Sequence, residues 1–157
     1  MAITIQSTYA DDYAKGYPGM VANGETSNRI SRTCETAAGI GFGQPVYRGS
    51  GDHGCTLTVG TLATFLGWAI ADRGIVPATV SGDVDEYPQY STVGILTLGA
   101  IYVNVKGAVT DGAAITVGTG GGAADLIGAT AADATHIATG WIADETVTDG
   151  ICRIVRR

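Results

Sequence analysis

Ile101-Tyr102-Val103-Asn104-Val105-Lys106 alternates apolar and polar side chains residue by residue. A strand turns successive side chains to opposite faces, so Ile101, Val103 and Val105 share one face and Tyr102, Asn104 and Lys106 the other. The first set belongs in a core. Downstream, Asp111-Gly112 is a tight-turn pair that separates this strand from residues 114–117, and the local reading is a hairpin of the two. Residues 136–143 and 151–155 are strand-like again and joined through Asp149-Gly150, a second hairpin that makes the last strand an integral part of the sheet. Upstream, residues 42–47, 56–59 and 65–71 read as strands with glycine-rich turns between them. Residues 123–135, rich in Ala and Asp, hold a short helical turn or stay irregular. Nowhere does a long segment carry apolar residues at i, i+3, i+4 and i+7, which leaves strands with short connections. The expected fold is all-β, a compact β-sandwich or jelly-roll-like barrel.

The composition suits such a fold and excludes several functions. Of 157 residues, 24 are Gly, about twice the usual share of ~7%, and they lie beside Val, Ile and Thr rather than in one tract. Charged residues make up 15%, against about 25% in an average domain, so the surface is built largely from Thr, Ser, Gly and Ala. A surface this neutral is weakly repelled by other protein surfaces, which favours assembly. The net charge of −6 and two lysines, Lys15 and Lys106, argue against nucleic-acid binding, because phosphate neutralisation needs clustered cations. The opening residues lack the basic-then-apolar pattern of an export signal, and no apolar run reaches the ~18 residues of a membrane span. Cys34, Cys55 and Cys152 are odd in number and widely spaced. The simplest reading is three reduced thiols, with one disulfide of unassigned pairing open in an oxidising setting.

Residues 1–36 mix Gly, Asn, Ser, Asp and Tyr without a sustained apolar period, and are read as an extended N-terminal arm ahead of a β-sandwich domain at 37–157. Tyr9, Tyr13 and Tyr17 punctuate this arm, and Tyr17-Pro18-Gly19 is a turn signal. Tyrosine is enriched at interface hot spots and an extended segment can add to a neighbour's sheet edge, so the arm is expected to dock on another molecule; removal of residues 1–26 should then leave a folded domain. Arg153, Arg156 and Arg157 give an acidic chain a basic end able to pair with a partner's carboxylates.

The sites that resemble chemistry fall short of it. Asp52-His53-Gly54-Cys55 gathers a carboxylate, an imidazole and a thiol, but on a glycine-rich turn, where neighbours seldom converge on one point. Asp83, Asp85 and Glu86 offer oxygens to a hard cation, yet Tyr87-Pro88 interrupts any calcium-loop spacing. Gly118-Thr119-Gly120-Gly121-Gly122 lacks the Gly-Lys-Ser/Thr ending of a phosphate-binding loop. His136 and Trp141 lie on a strand-like segment with no orienting carboxylate in view. The expectation is a protein that is not an enzyme, with no catalytic residue, metal or cofactor.

Taken in order, Gly16-Tyr17-Pro18-Gly19-Met20, Ile40-Gly41-Phe42-Gly43-Gln44-Pro45-Val46, Phe65-Leu66-Gly67-Trp68-Ala69-Ile70-Ala71-Asp72, Val93-Gly94-Ile95-Leu96, and the ending from Ala143-Asp144-Glu145 to Arg153-Ile154-Val155 resemble the cement, or decoration, proteins of tailed-bacteriophage capsids. The likeness spans most of the chain. It implies a small β-sandwich, made in the host cytoplasm, that binds the outer surface of the virion's icosahedral shell and bridges major capsid protein subunits. It further implies self-association as a homodimer or homotrimer, and partners that include neither nucleic acid nor membrane. The candidate capsid contacts are Tyr9, Tyr13, Tyr17, Pro18, Met20, Arg156 and Arg157. The alternative is a tail or fibre-associated β-domain with receptor or glycan contact, which internal repeats would favour; none is found.

Overall fold

The computed structural model describes residues 15–75, 85–119 and 127–157, and these contain strands and no helix. The central element is β7 (Thr92–Val105), whose two halves belong to two different sheets. Its first half pairs antiparallel with β1 (Asn28–Cys34) on one edge and β5 (Phe65–Ala69) on the other. From β5 the sheet runs through β3 (Pro45–Arg48) to β4 (Gly54–Thr56), and β4 pairs parallel with β1. That last pairing closes a five-stranded ring, β1-β4-β3-β5-β7. Closure removes the open edges that invite uncontrolled strand addition.

The second half of β7 pairs with β11 (Gly150–Arg156), and the sheet continues through β10 (His136–Ala143) and β8 (Ala114–Gly118) to β9 (Ile127–Gly128). The Lys106 amide donates to the Ile127 carbonyl at 2.8 Å and ties β9 back to the end of β7. A two-stranded pair, β2 (Ile40–Gly41) with β6 (Glu86–Tyr87), completes the described elements. The expected all-β barrel is therefore present, as a closed barrel with extra strands.

β7 serves two cores because its pleat changes phase. Ile95 packs with Cys34, Ile40, Val46 and Tyr87, whereas Leu96 packs with Ile101, Val103, Val105 and Trp141. Leu96 and Ile101 differ in parity yet share a core. Opposite β1 the register steps from Arg29↔Leu96 to Asn28↔Leu98, so Thr97 is an extra residue, a bulge that carries the strand across from one side-chain phase to the other. Beyond it the alternation read from the sequence holds: Ile101, Val103 and Val105 are fully buried, and Tyr102 and Asn104 half-buried. Tyr47, Phe65, Trp68 and Trp141 form a chain of edge-to-face contacts with centroids 5.5, 5.7 and 6.3 Å apart, linking β3 and β5 of the ring to β10.

Two expectations change. Residues 101–106 and 114–117 do not form a hairpin: β8 pairs with β10 and β9, while β11 takes that edge of β7. The intervening chain is held instead by the buried Val109, bridged to Val147, and Asp111-Gly112 turns it towards β10, with the Gly112 amide on the Ala143 carbonyl. The Asp149-Gly150 connection does join antiparallel neighbours, and β11 sits inside the sheet.

The second change concerns the arm, whose expected reach to residue 36 overlaps β1, a strand of the ring. Its apolar period escaped notice because in β1 only Ile30 and Cys34 pack in the core, while Asn28, Arg29, Ser31 and Thr33 are exposed. The segment before β1 is also sewn down: Gly19 and Ala22 amides donate to Tyr102 and Ala100 carbonyls, and the Tyr102 amide donates to Met20. Deleting residues 1–26 should therefore lower Tm measurably below that of a protein lacking only residues 1–14, since the larger cut strips these bonds from β7. Equal melting of the two truncations by circular dichroism would show that residues 15–26 contribute nothing to the fold.

Candidate interaction surface

The groups that invited chemical readings are held apart. In the Asp52–Cys55 stretch the imidazole is exposed beside Arg32, whose guanidinium donates to the Asp52 carbonyl at 2.8 Å and lies 3.4 Å from His53 Nδ1. Cys55 is fully buried, and burial, reinforced by Cys34 and Glu35, pushes its thiol up to about 12. A thiol so disposed is protonated and unreactive. Cys34 and Cys152 are likewise free and buried, with Cys152 pushed up to about 11 by burial.

Asp133 accepts from the Thr135 hydroxyl and amide and the His136 amide, and lies 3.2 Å from His136 Nδ1. Those donors, the Thr135 hydroxyl foremost, hold its carboxyl down at about 2. This is a self-satisfied turn at the head of β10, and Trp141 is a core residue. Asp83 and Gly120 to Gly122 lie outside the described residues. No group of three His, Cys, Asp or Glu side chains able to hold a metal occurs among the described residues.

Of the contact candidates, Tyr9 and Tyr13 lie outside the described residues. Tyr17 is partly exposed, and the Arg73 guanidinium sits 4.6 Å from its ring centroid, a cation–π contact. Pro18 joins Tyr17, Gly41, Phe42, Arg73 and Asp85 around a small hollow, and Met20 is half-buried. The backbone pass here demands glycine: Gly19 has φ +81°, and a Cβ on it would lie 2.7 Å from the Ala71 nitrogen and 2.9 Å from that of Gly43. Arg156 is exposed near Gly140, and Arg157 pairs with Glu25 at 3.2 Å. Lys15 pairs with Glu145 at 2.9 Å. Burial alone would raise the Glu145 carboxyl, but the Lys15 ammonium and the Arg153 amide together bring it below its ordinary value. The two ion pairs fasten the N-terminal segment to the 143–157 end of the same chain.

Sequence reasoning missed two features at the opposite end of β7. The Glu35 carboxylate accepts from the Ser50 amide (2.8 Å), the Ser50 hydroxyl (2.9 Å) and the Gly51 amide (2.8 Å), bonds that hold it below its ordinary value of 4.5. A side chain on Gly54 would overlap this carboxylate. Since the folded-state value is depressed, the clasp stabilises fully above the unfolded value and is lost as pH falls below about 4.5. Glu35→Gln should lower Tm at pH 7, and the gap to wild type should shrink as the pH falls below about 4.5. A gap independent of pH would show that the charge is irrelevant.

The other feature is Tyr90, which has φ +67° and is 76% exposed. Such a backbone costs a non-glycine residue on the order of 1 kcal/mol. The turn is imposed by its neighbours: Tyr90 N donates to the Cys34 carbonyl, Ser91 N and Oγ both donate to the Pro88 carbonyl, and the Gln89 amide side chain donates to the Glu35 carbonyl. Pro88 signalled a turn, but nothing in the sequence marks a left-handed tyrosine.

Comparison with known proteins places this geometry in context. Residues 5–157 match the family described as "Structural cement protein (E217 gp24/Pam3 gp6)". No curated protein matches the chain. Among solved structures, a chain of the capsid of Myoviridae phage XM1 superposes with a TM-score of 0.69 at 11% identity, covering 98% of this chain and 97% of that one. At that identity the likeness is one of fold.

Proposed function

Because the chain belongs to the structural cement protein family of phages, and so acts as a capsid cement protein with the capsid as its place and partner, we propose that it binds the outer surface of the shell and bridges major capsid subunits. The family match over residues 5–157 carries this reading, and it does not favour the tail or fibre role. Cementing needs no covalent step. A protein that binds only the assembled, expanded lattice shifts the equilibrium towards it, by about 2.7 kcal/mol per site at a free concentration one hundred times Kd. Contacts to several subunits raise effective concentration beyond what one modest contact supplies. A closed ring, a second sheet tied back to β7 and a weakly charged surface support the part of a rigid spacer.

In this reading the protein performs no catalysis and needs no cofactor. It avoids nucleic acid and membrane, and it associates with itself as a dimer or trimer. Tyr9, Tyr13, Tyr17, Pro18, Met20, Arg156 and Arg157 remain the proposed shell contacts. Of these, Tyr17 and Arg156 expose side-chain surface while their segments are held by their own fold. The test is cryo-electron microscopy of shells lacking the protein, with and without protein added back. Added density on the outside, across boundaries between subunits, is expected; density on the inner face or on the tail would overturn the proposal.

A further inference from the structure

We propose that Tyr90 is an anchor by which this protein grips the capsid shell, its ring seated in an apolar niche of a shell subunit and its hydroxyl bonded to an acceptor at the rim. The inference rests on the cement reading and adds a contact outside the N-terminal segment and the C-terminal end.

Three independent observations carry it. Tyr90 is the most exposed large hydrophobic side chain among the described residues, and within them its ring and hydroxyl have no partner. Among the described residues it occupies the one non-glycine position with positive φ, where glycine or asparagine would be accommodated more easily. Its surroundings are rigid: the turn is bonded to the Cys34 and Glu35 carbonyls, and the Glu35 carboxylate pins the adjacent 49–54 loop. A fold that holds a strained residue in place to expose an aromatic ring has prepaid the ordering cost of binding. Tyrosine suits the role because its apolar body and polar tip bury together at an interface centre.

Tyr90 lies just before Thr92, the start of β7, in a turn separate from the N-terminal segment, whose Gly16 packs against the Tyr102 ring.

Tyr90→Gly separates this role from a structural one, because glycine relieves the backbone while removing the ring. Melting at or above the wild-type temperature is expected, with binding to shells that lack the protein weakened at least about tenfold, as for a hot spot. Tyr90→Phe should bind between the two. Wild-type shell affinity in Tyr90→Gly would overturn the proposal. So would a changed self-association of the free protein with undiminished shell binding, which would assign the ring to a second copy. Failure of the wild-type protein itself to bind would reject the cement reading rather than the anchor.

Discussion

Val103→Asp leaves no folded protein. Val103 is fully buried on β7, opposite Cys152 of β11, among Ile101, Val105, Trp68 and Trp141. The side chains packed in this core carry no charge, and besides a protonated thiol their side-chain donors are the indole N–H groups of Trp68 and Trp141, so a carboxylate there is charged without an ionic partner or neutral and buried. Either state costs several kcal/mol, a large fraction of the roughly 5–15 kcal/mol that holds a domain together. The variant should be insoluble, or lack a cooperative thermal transition by circular dichroism. Asn104→Asp, on the opposite half-buried face, should melt close to wild type. Wild-type melting of Val103→Asp would mean that the strand's faces are assigned the wrong way round.

Gly67→Val should be nearly as damaging, for a steric rather than an electrostatic reason. Gly67 has φ +153°, and a Cβ on it would lie 2.1 Å from the Leu96 carbonyl oxygen and 3.0 Å from the Ile95 side chain. The obstacle is backbone of β7, which cannot yield without breaking the adjacent Trp68↔Leu96 pairing that holds β5 in the ring. A cost of about 4 kcal/mol is expected, a size reserved for changes of this kind. At about 2–4 °C per kcal/mol for a chain of this length, Tm should fall by roughly 10 °C. A fall of less than about 3 °C would show that β5 and β7 part easily and that ring closure contributes little.

Local pattern told which faces are buried, and long-range geometry told everything else. Alternation across 101–106 revealed the core face of β7, because burial acts on each side chain separately. It could not reveal that β11 rather than β8 lies alongside, since a face has no preference for a neighbour in the chain. The phase change at Thr97 was hard to read for a related reason: a bulge is defined by its partner strand, and its local mark is a single glycine, Gly99, at φ +121°. In β1, polar residues on the outer face masked a strand with two core side chains.

The candidate surface was half legible. Tyrosines in a glycine-rich segment were noticed, yet Tyr17, Pro18 and Met20 sit along their own fold, held by glycines that allow close backbone passage and by ion pairs to Glu145 and Arg157. Pairing between residues more than a hundred positions apart leaves no local trace. The Glu35 clasp and the Tyr90 turn were missed because all but one of the partners named, the Ser50 hydroxyl, are backbone groups, which every sequence supplies. Family likeness was legible because it depended on the order of glycine-punctuated strands, which is written in the sequence itself.

The most direct test is to add purified protein to expanded shells that lack it, measure what sediments with them, and heat the product. Saturable binding, with the loaded shells surviving a temperature that opens bare ones, is the expected result. Binding that never saturates, or shells that open at the same temperature loaded or bare, would contradict a cementing role.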